Sequence, residues 1–418
     1  METVIPMKNN QLKHTTINDP RKGATFITGA TGLIGSHIAG DLLKKRQKII
    51  VLIRRKGTLN AEQRFHSICN FMDLGSLDLS HVRIVEGSLD KRYFGVDRSD
   101  YNELCGETGR IIHCAGNTTF SEKMREESER DNITGLKNVL DFTRDSACSW
   151  FHLISTIYTV GMKSGICEEE LNESGLFTNF YEEIKCRGER STLEYCRENG
   201  ISATIIRPSI VVGNSLNGRT FRFNGLYYPI KALILMRDMF YHDLVAGKGT
   251  RANKMSISIK DEKVNLPLRL EHNTKEGINL IPIDFMVDAV HSIINQPKNG
   301  SIYHVAAKKN VTIAELIDFT QKYFNITGLH PVGTDFFLKH SKTPLESLFD
   351  KYIEPYLPYM KDSRKFSTKN TDAVINSYGI TSPTFDYKLF SRCMKFAVKK
   401  NWGKAQYSNN MPKRLVNF

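Results

Sequence analysis

Residues 25–46, TFITGATGLIGSHIAGDLLKKR, place an apolar run, three glycines and an amphipathic run in direct succession. The apolar run predicts a strand over 24–28, and the spacing that follows predicts a helix over 34–46. Between them Gly29 permits a tight turn, Gly32 lets the backbone approach a pyrophosphate, and Gly35 lets the helix pack closely on the strand. The helix start then presents free N–H groups and the positive end of its dipole to phosphates. A glycine triplet alone is weak evidence; lying between a strand and a helix, it reads as a dinucleotide-binding loop.

The alternation continues for about 200 residues. Further Ile- and Val-rich runs at 49–53, 81–87, 110–116, 150–156 and 202–208 are bounded by turn residues, and helical periodicity fills 128–144 and 182–199. The expected fold class is α/β, a Rossmann-type doubly wound parallel sheet with a smaller, mostly helical C-terminal substrate domain. The expected boundaries are a loose tail at 1–22, a dinucleotide domain at 23–215 with 281–308 returning to it, and a substrate domain at 216–280 and 309–418.

Composition narrows the class. The 418 residues are 40% hydrophobic and 25% charged, as in a soluble globular protein. No run of about 18 apolar residues is present, so no membrane span is expected. The eight cysteines (Cys69, Cys105, Cys114, Cys148, Cys167, Cys186, Cys196, Cys393) show no metal-ligand spacing. They read as reduced thiols in a cytoplasmic protein, with no metal site. The net charge of +13 favours an anionic partner or cofactor. The basic residues are dispersed and match no nucleic-acid motif, so nucleic acid is not expected.

Arg54 and Arg55 close the second strand. NAD binders usually carry an acid there, about 20 residues past the glycines, for the ribose 2′-hydroxyl. Two guanidiniums suit a 2′-phosphate, so the expected cofactor is NADP(H). Further along, Tyr181 and Lys185 stand four apart at the start of a predicted helix and share a face. An ammonium beside a phenol lowers its pKa and readies it for proton exchange. Ser155 and Thr156 end the strand at 150–156, where a hydroxyl can bond a carbonyl oxygen over the cofactor. Thr156 is the expected member, although Ser155 could share or take that role. Phenol, ammonium and hydroxyl beside a hydride donor make a carbonyl-reducing or alcohol-oxidising site.

These residues resemble the extended short-chain dehydrogenase/reductase family, in TGATGLIG, the end of LIST, YEEIK and RPSIVVG (207–213). Residues 88–120, DNITGLKNVLDF (131–142), NLIPIDFMVDAV (279–290), YHVAAKKNVTIAELIDF (303–319) and PYLPYMKDSRKFSTKNTDAV (355–374) look like its thioester reductase and fatty acyl-CoA reductase branch. The resemblance implies Thr156, Tyr181 and Lys185 as the catalytic trio. It implies Gly29, Thr31, Gly32, Leu33, Ile34 and Gly35 around the pyrophosphate and Arg54 with Arg55 at the 2′-phosphate. Ser88 and Leu89 would lie by the adenine, Ala115 and Gly116 by the ribose with Lys185, and Pro208 and Ile210 by the nicotinamide. The chain departs from the branch in Ser88, where Asp is usual, in Gly116-Asn117, and in Ile184 before the lysine.

The implied activity is NADPH-dependent reduction of an acyl thioester, on coenzyme A or an acidic carrier protein, to an aldehyde and with a second hydride to the alcohol. Residues 331–418 carry about twice as many Lys and Arg as Asp and Glu, which would suit carrier docking and permits peripheral membrane contact. The aromatics Phe336, Phe337, Phe349, Tyr352, Tyr356 and Tyr359 would line an acyl tunnel or fill that domain's core. Two other readings compete. One is a nucleotide-sugar epimerase or dehydratase, or a hydroxysteroid dehydrogenase, on the same trio. The other is a non-catalytic NADP-binding regulator.

Overall fold

The computed structural model describes residues 23–75, 78–273 and 275–406, so the expected tail at 1–22 lies outside the described residues. The run ATFIT forms strand β1 (Ala24–Thr28), buried along its whole length. It is followed by β2 (Ile49–Ile53), β3 (Val82–Glu86), β4 (Thr108–His113), β5 (Trp150–Ile154), β6 (Ser202–Pro208) and β7 (Ile302–Val305). These seven form one sheet in the order β7-β6-β5-β4-β1-β2-β3, parallel throughout. The order reverses between β1 and β4, and crevices at such a reversal are where doubly wound folds bind ligands. β1 and β2 are buried end to end, and β6 from Ala203 onward, because helices cover both faces, which explains their richness in apolar residues.

Residues 281–308 adjoin this sheet. Leu280–Pro282 pairs with Ile210–Val212, the helix Ile283–Asn295 packs on the helix Leu33–Lys44, and β7 takes the sheet's edge. The rest builds a second core around Leu233, Leu266, Leu268, Ile317, Phe349 and Phe390. Helices Tyr227–Val245, Ile313–Phe324, Pro344–Ile353 and Tyr387–Lys399 enclose it. It also contains a three-stranded sheet in which Lys263–His272 pairs with Ser258–Lys260 and Ile326–Gly333. That strand, KVNLPLRLEH, buries alternate residues from Val264 to His272, a period-two signal.

Part of the C-terminal stretch, residues 364–375, leaves this second core. Arg364–Phe366 pairs with Gly165–Cys167, and the helix Lys369–Ile375 packs on β7 and on Ile283–Asn295. Residues 364–375 therefore brace the dinucleotide half.

Candidate active site

The glycine loop is built by close approach. Gly29 has φ +73°, and a Cβ there would lie 2.6 Å from the Ala115 nitrogen. A Cβ at Gly35 would lie 2.4 Å from the Gly29 carbonyl oxygen, so only glycine lets this helix sit against the turn. Gly32 faces one protein atom, the Gly29 oxygen at 3.2 Å from such a Cβ. The helix Leu33–Lys44, opened by Leu33 and Ile34, has no side-chain cap and no acid in its first turn. Its free N–H groups and dipole suit an anion, so the loop fits a dinucleotide pyrophosphate.

The two arginines after β2 separate. Arg55 pairs with Glu86 at 2.9 Å, and Glu86 also accepts from the Ala61 amide, so that guanidinium is already neutralised at the end of β3. Arg54 stays exposed, and its carbonyl accepts from Arg64. Arg64 also donates to Thr31 Oγ1 at 3.0 Å, and so joins the second strand's end to the glycine loop. The sequence reading missed Arg64; its signal was its place in the first turns of Ala61–Phe71, whose Asn60–Gln63 capping box sets that helix just beyond β2. Ser88 donates its hydroxyl to Asp90, and the Leu89 carbonyl accepts from Asn138 at 2.7 Å. Ala115 donates its amide to Thr28 Oγ1 at 3.2 Å beyond β4, and Pro208 ends β6.

Thr156, Tyr181 and Ile210 line one cavity. Thr156 sits two residues past β5 and caps the short helix Ile157–Val160, accepting from the Tyr158 amide. Ser155 donates its amide to Ile206, and its buried hydroxyl is not among the cavity's lining atoms, so Thr156 is the hydroxyl facing that space. Tyr181 and Lys185 stand on Phe180–Glu198, capped by Asn179. Burial pushes the Tyr181 phenol up to about 12, while its hydrogen bond with Thr156 pulls it back. The expected depression by Lys185 does not appear. Burial lowers the Lys185 pKa as well, and its ammonium donates to the Ile154 carbonyl at 3.2 Å. Desolvation is the largest cause of both shifts.

Asn132 completes this corner and was also missed. It lies in the π turn Arg130–Thr134, and its amide nitrogen donates to the Asn117 and Ser128 carbonyls, while its buried Oδ1 has no partner. A Cβ at Gly116 would meet that Oδ1 at 2.7 Å and Lys185 Nζ at 3.7 Å. Gly116 therefore has no room for a Cβ unless Asn132 moves. The signal was DNITGLKN, whose helical pattern gives no hint of the π turn that aims Asn132.

The cavity encloses about 260 Å³ and runs from Thr156 and Tyr181 into the second core, past Ile230, Leu233, Ile317 and Phe349. Among the described residues no charged side chain lines it. Of the six expected aromatics, Phe349, Tyr356 and Tyr359 line it. Tyr352 packs on the second core, and Phe336 and Phe337 lie under the Arg269 guanidinium. Tyr359 also donates to Glu182 Oε1 at 2.8 Å, next to Tyr181 in the chain, and accepts from Asn179 at 2.8 Å. Arg364, paired with Asp362, donates to the Gly161 carbonyl and stacks on Tyr158.

A family model of NAD-binding domains described as male sterility protein matches residues 27–290. The nonribosomal peptide synthetase asaC of Aspergillus flavus is 24% identical over 213 residues, 48% of this chain and 21% of that protein. The L-2-aminoadipate reductase large subunit of Penicillium chrysogenum is 28% identical over 232 residues, 50% of this chain and 16% of that protein. The match thus spans about a fifth, or less, of these relatives' length. Among solved structures, the terminal R domain of the myxalamid PKS-NRPS biosynthetic pathway superposes with a TM-score of 0.71 at 18% identity, covering 91% of this chain and 92% of that one. A thiolation-reductase di-domain from an archaeal non-ribosomal peptide synthetase gives 0.69 at 17% identity, covering 91% and 76%. UDP-glucuronic acid 4-epimerase from Bacillus cereus with NAD gives 0.60 at 15% identity, covering 92% and 100%. Among the described residues no helix is long and apolar enough to cross a membrane.

Proposed function

The chain belongs to the NAD-binding family described as male sterility protein, and from that premise we propose that it is an NADPH-dependent reductase of acyl thioesters. Family and fold point to a nicotinamide-dependent oxidoreductase of the short-chain dehydrogenase type. The observation that carries the thioester reading is the cavity: Thr156 and Tyr181 stand at one end of an apolar space that, among the described residues, no charged side chain lines. A nucleotide sugar brings a diphosphate that would need cations there, and a 2-aminoadipyl group brings charges of its own. An uncharged, aliphatic acyl group suits these walls. The thiol carrier, coenzyme A or an acidic carrier protein, suits the chain's net charge of +13.

The nicotinamide supplies the hydride when bound. Thr156 donates a hydrogen bond to the oxygen on which negative charge develops, and Tyr181 gives that oxygen its proton. Lys185 holds positive charge near the phenol and, with Gly116 beside it, faces the cofactor's ribose side. Hydride and proton together convert the thioester to a hemithioacetal. Its carbon–sulfur bond then breaks, with the proton passing to sulfur, to release a thiol and an aldehyde. A second hydride and proton would give the alcohol. We place the enzyme in the cytoplasm.

The test follows NADPH absorbance with acyl-CoA and acyl-carrier thioesters of increasing chain length. Thioester-dependent oxidation, lost by about 10²–10⁴-fold in Tyr181→Phe with cofactor binding retained, is the expected result. Ile317→Trp, which fills the cavity's interior, should raise KM for long chains and spare short ones. Turnover of UDP-sugars and no response to any thioester would overturn the reading.

A further inference from the structure

The cavity that Thr156 and Tyr181 line shares three side chains with a smaller neighbour. Leu270, Phe349 and Met360 line it, and the same three line a second cavity of about 50 Å³. The rest of the second lining is Leu357 and two ion pairs, Lys342 with Asp350 and Lys361 with Glu271, the latter at 2.7 Å. The side chains of Lys342 and Lys361 are 33% and 44% exposed, so the second cavity lies at the protein surface, while the first reaches inward to the candidate site. Each of these lysines has its carboxylate, so an alkyl chain entering there meets no unpaired charge among the described lining residues.

The three shared side chains are not equally fixed. Leu270 lies within the strand Lys263–His272 and Phe349 within the helix Pro344–Ile353, and both are buried. Met360 ends the short helix Leu357–Met360 and is only partly buried against the second core. Its carbonyl accepts from the Asn273 amide at 3.2 Å, which holds the backbone and leaves the side chain its torsions. An unbranched thioether with three rotatable bonds swings aside at small cost, whereas Leu and Phe on regular elements would drag their packed neighbours with them.

We propose that Met360 is a movable partition, with Leu270 and Phe349 as its fixed frame, and that it sets the length of acyl chain this site accepts. A short chain ends inside the first cavity with Met360 closed. A long chain displaces the thioether and lays its tail in the second cavity. The proposal rests on the acyl thioester reading above and adds the substrate class: long, unbranched acyl groups, since a branch would not pass the frame. Each methylene that passes the partition leaves water and should tighten binding by up to about fourfold.

The test uses the full chain and needs no turnover. S-alkyl pantetheine thioethers carry the arm common to coenzyme A and carrier proteins but no carbonyl to reduce, and a linear series of increasing length is titrated by calorimetry. Wild type, Met360→Ala and Leu357→Trp are compared, with a thermal melt of each to establish folding. Leu357 lines the second cavity and not the first, so Leu357→Trp fills only the outer space. It should weaken the longest chains about tenfold and leave short ones unchanged, whereas behind a fixed wall it would change none. Met360→Ala should tighten the longest chains about threefold or more and again spare the short ones. A folded Leu357→Trp that binds every chain as the wild type does, or a folded Met360→Ala with an unaltered length profile, would overturn the partition alone. Failure of every chain length to bind the wild type would overturn the acyl reading beneath it.

Discussion

Tyr359 donates its hydroxyl to Glu182, 177 residues earlier in the chain, at 2.8 Å. Glu182 is fully buried and adjoins Tyr181, so a C-terminal side chain that lines the cavity also anchors the start of the helix Phe180–Glu198. Burial raises the Glu182 pKa, and the nearby Arg364 guanidinium, at 3.8 Å, works against that rise.

Replacing Tyr359 by Phe leaves a buried carboxylate short of one donor and Asn179 short of one acceptor. The expected cost is about 1–3 kcal/mol of stability, read as a lower denaturant midpoint at an unchanged slope. Activity should fall as well, because the anchor holds the turn that carries Tyr181. A variant as stable and as active as the wild type would show that this bond does neither.

The proton donor sets the alkaline behaviour. Burial holds the Tyr181 phenol up at about 12, so its ionisation should take little from reduction below pH 10. Lys185, lowered from 10.5 by burial, loses its charge first as pH rises. The pH profile of kcat/KM for reduction should therefore show one alkaline limb below 10.5 from Lys185. Ultraviolet difference spectra of wild type against Tyr181→Phe should show no phenolate from this residue at pH 10. A phenolate signal at neutral pH would instead mean that Lys185 depresses the phenol as the spacing alone suggested.

Gly116 has no room for a side chain. Gly116→Ala would push Asn132 Oδ1, 2.7 Å from the new methyl, and crowd Lys185 Nζ at 3.7 Å. Turnover should drop roughly ten- to a hundredfold through misplacement of the lysine, with the fold intact by thermal melt. Unaltered turnover would mean that this corner tolerates displacement.

Acid should loosen the second core through Glu346. Burial alone would raise its pKa, but hydrogen bonds from Arg269 and from the Thr343 and Arg269 amides prevail and hold it near 2. A carboxylate depressed in the folded state stabilises fully above its unfolded value of about 4.3, and that contribution is lost as pH falls toward 2. Glu346→Gln should flatten stability against pH across that window, measured by urea unfolding at a series of pH values. An unchanged slope in the variant would place the acid sensitivity elsewhere.

Much of the dinucleotide half was legible because its signals are local. The runs at 24–28, 49–53 and 202–208 are strands with those limits, since strands covered on both faces favour apolar-rich sequence. Tyr181 and Lys185 share a helix face because four residues make about one turn. The three-stranded sheet around Lys263–His272 went unread, although its alternation was present, because the partner strand it pairs with along most of its length starts only at Ile326.

The chain's order alone thus determined the parallel sheet, the glycine turn and where the candidate site residues fall in the chain. Each depends on spacings of a few residues, which backbone geometry converts into structure wherever they occur. Tertiary structure decided the rest: that Arg55 is spent on Glu86 while Arg64 reaches the loop, that Asn132 stands where Gly116 admits no methyl, and that Tyr359 braces Glu182. Those outcomes turn on which distant groups share one desolvated space. Charge, room and hydrogen-bond capacity are divided there among neighbours that no local pattern names.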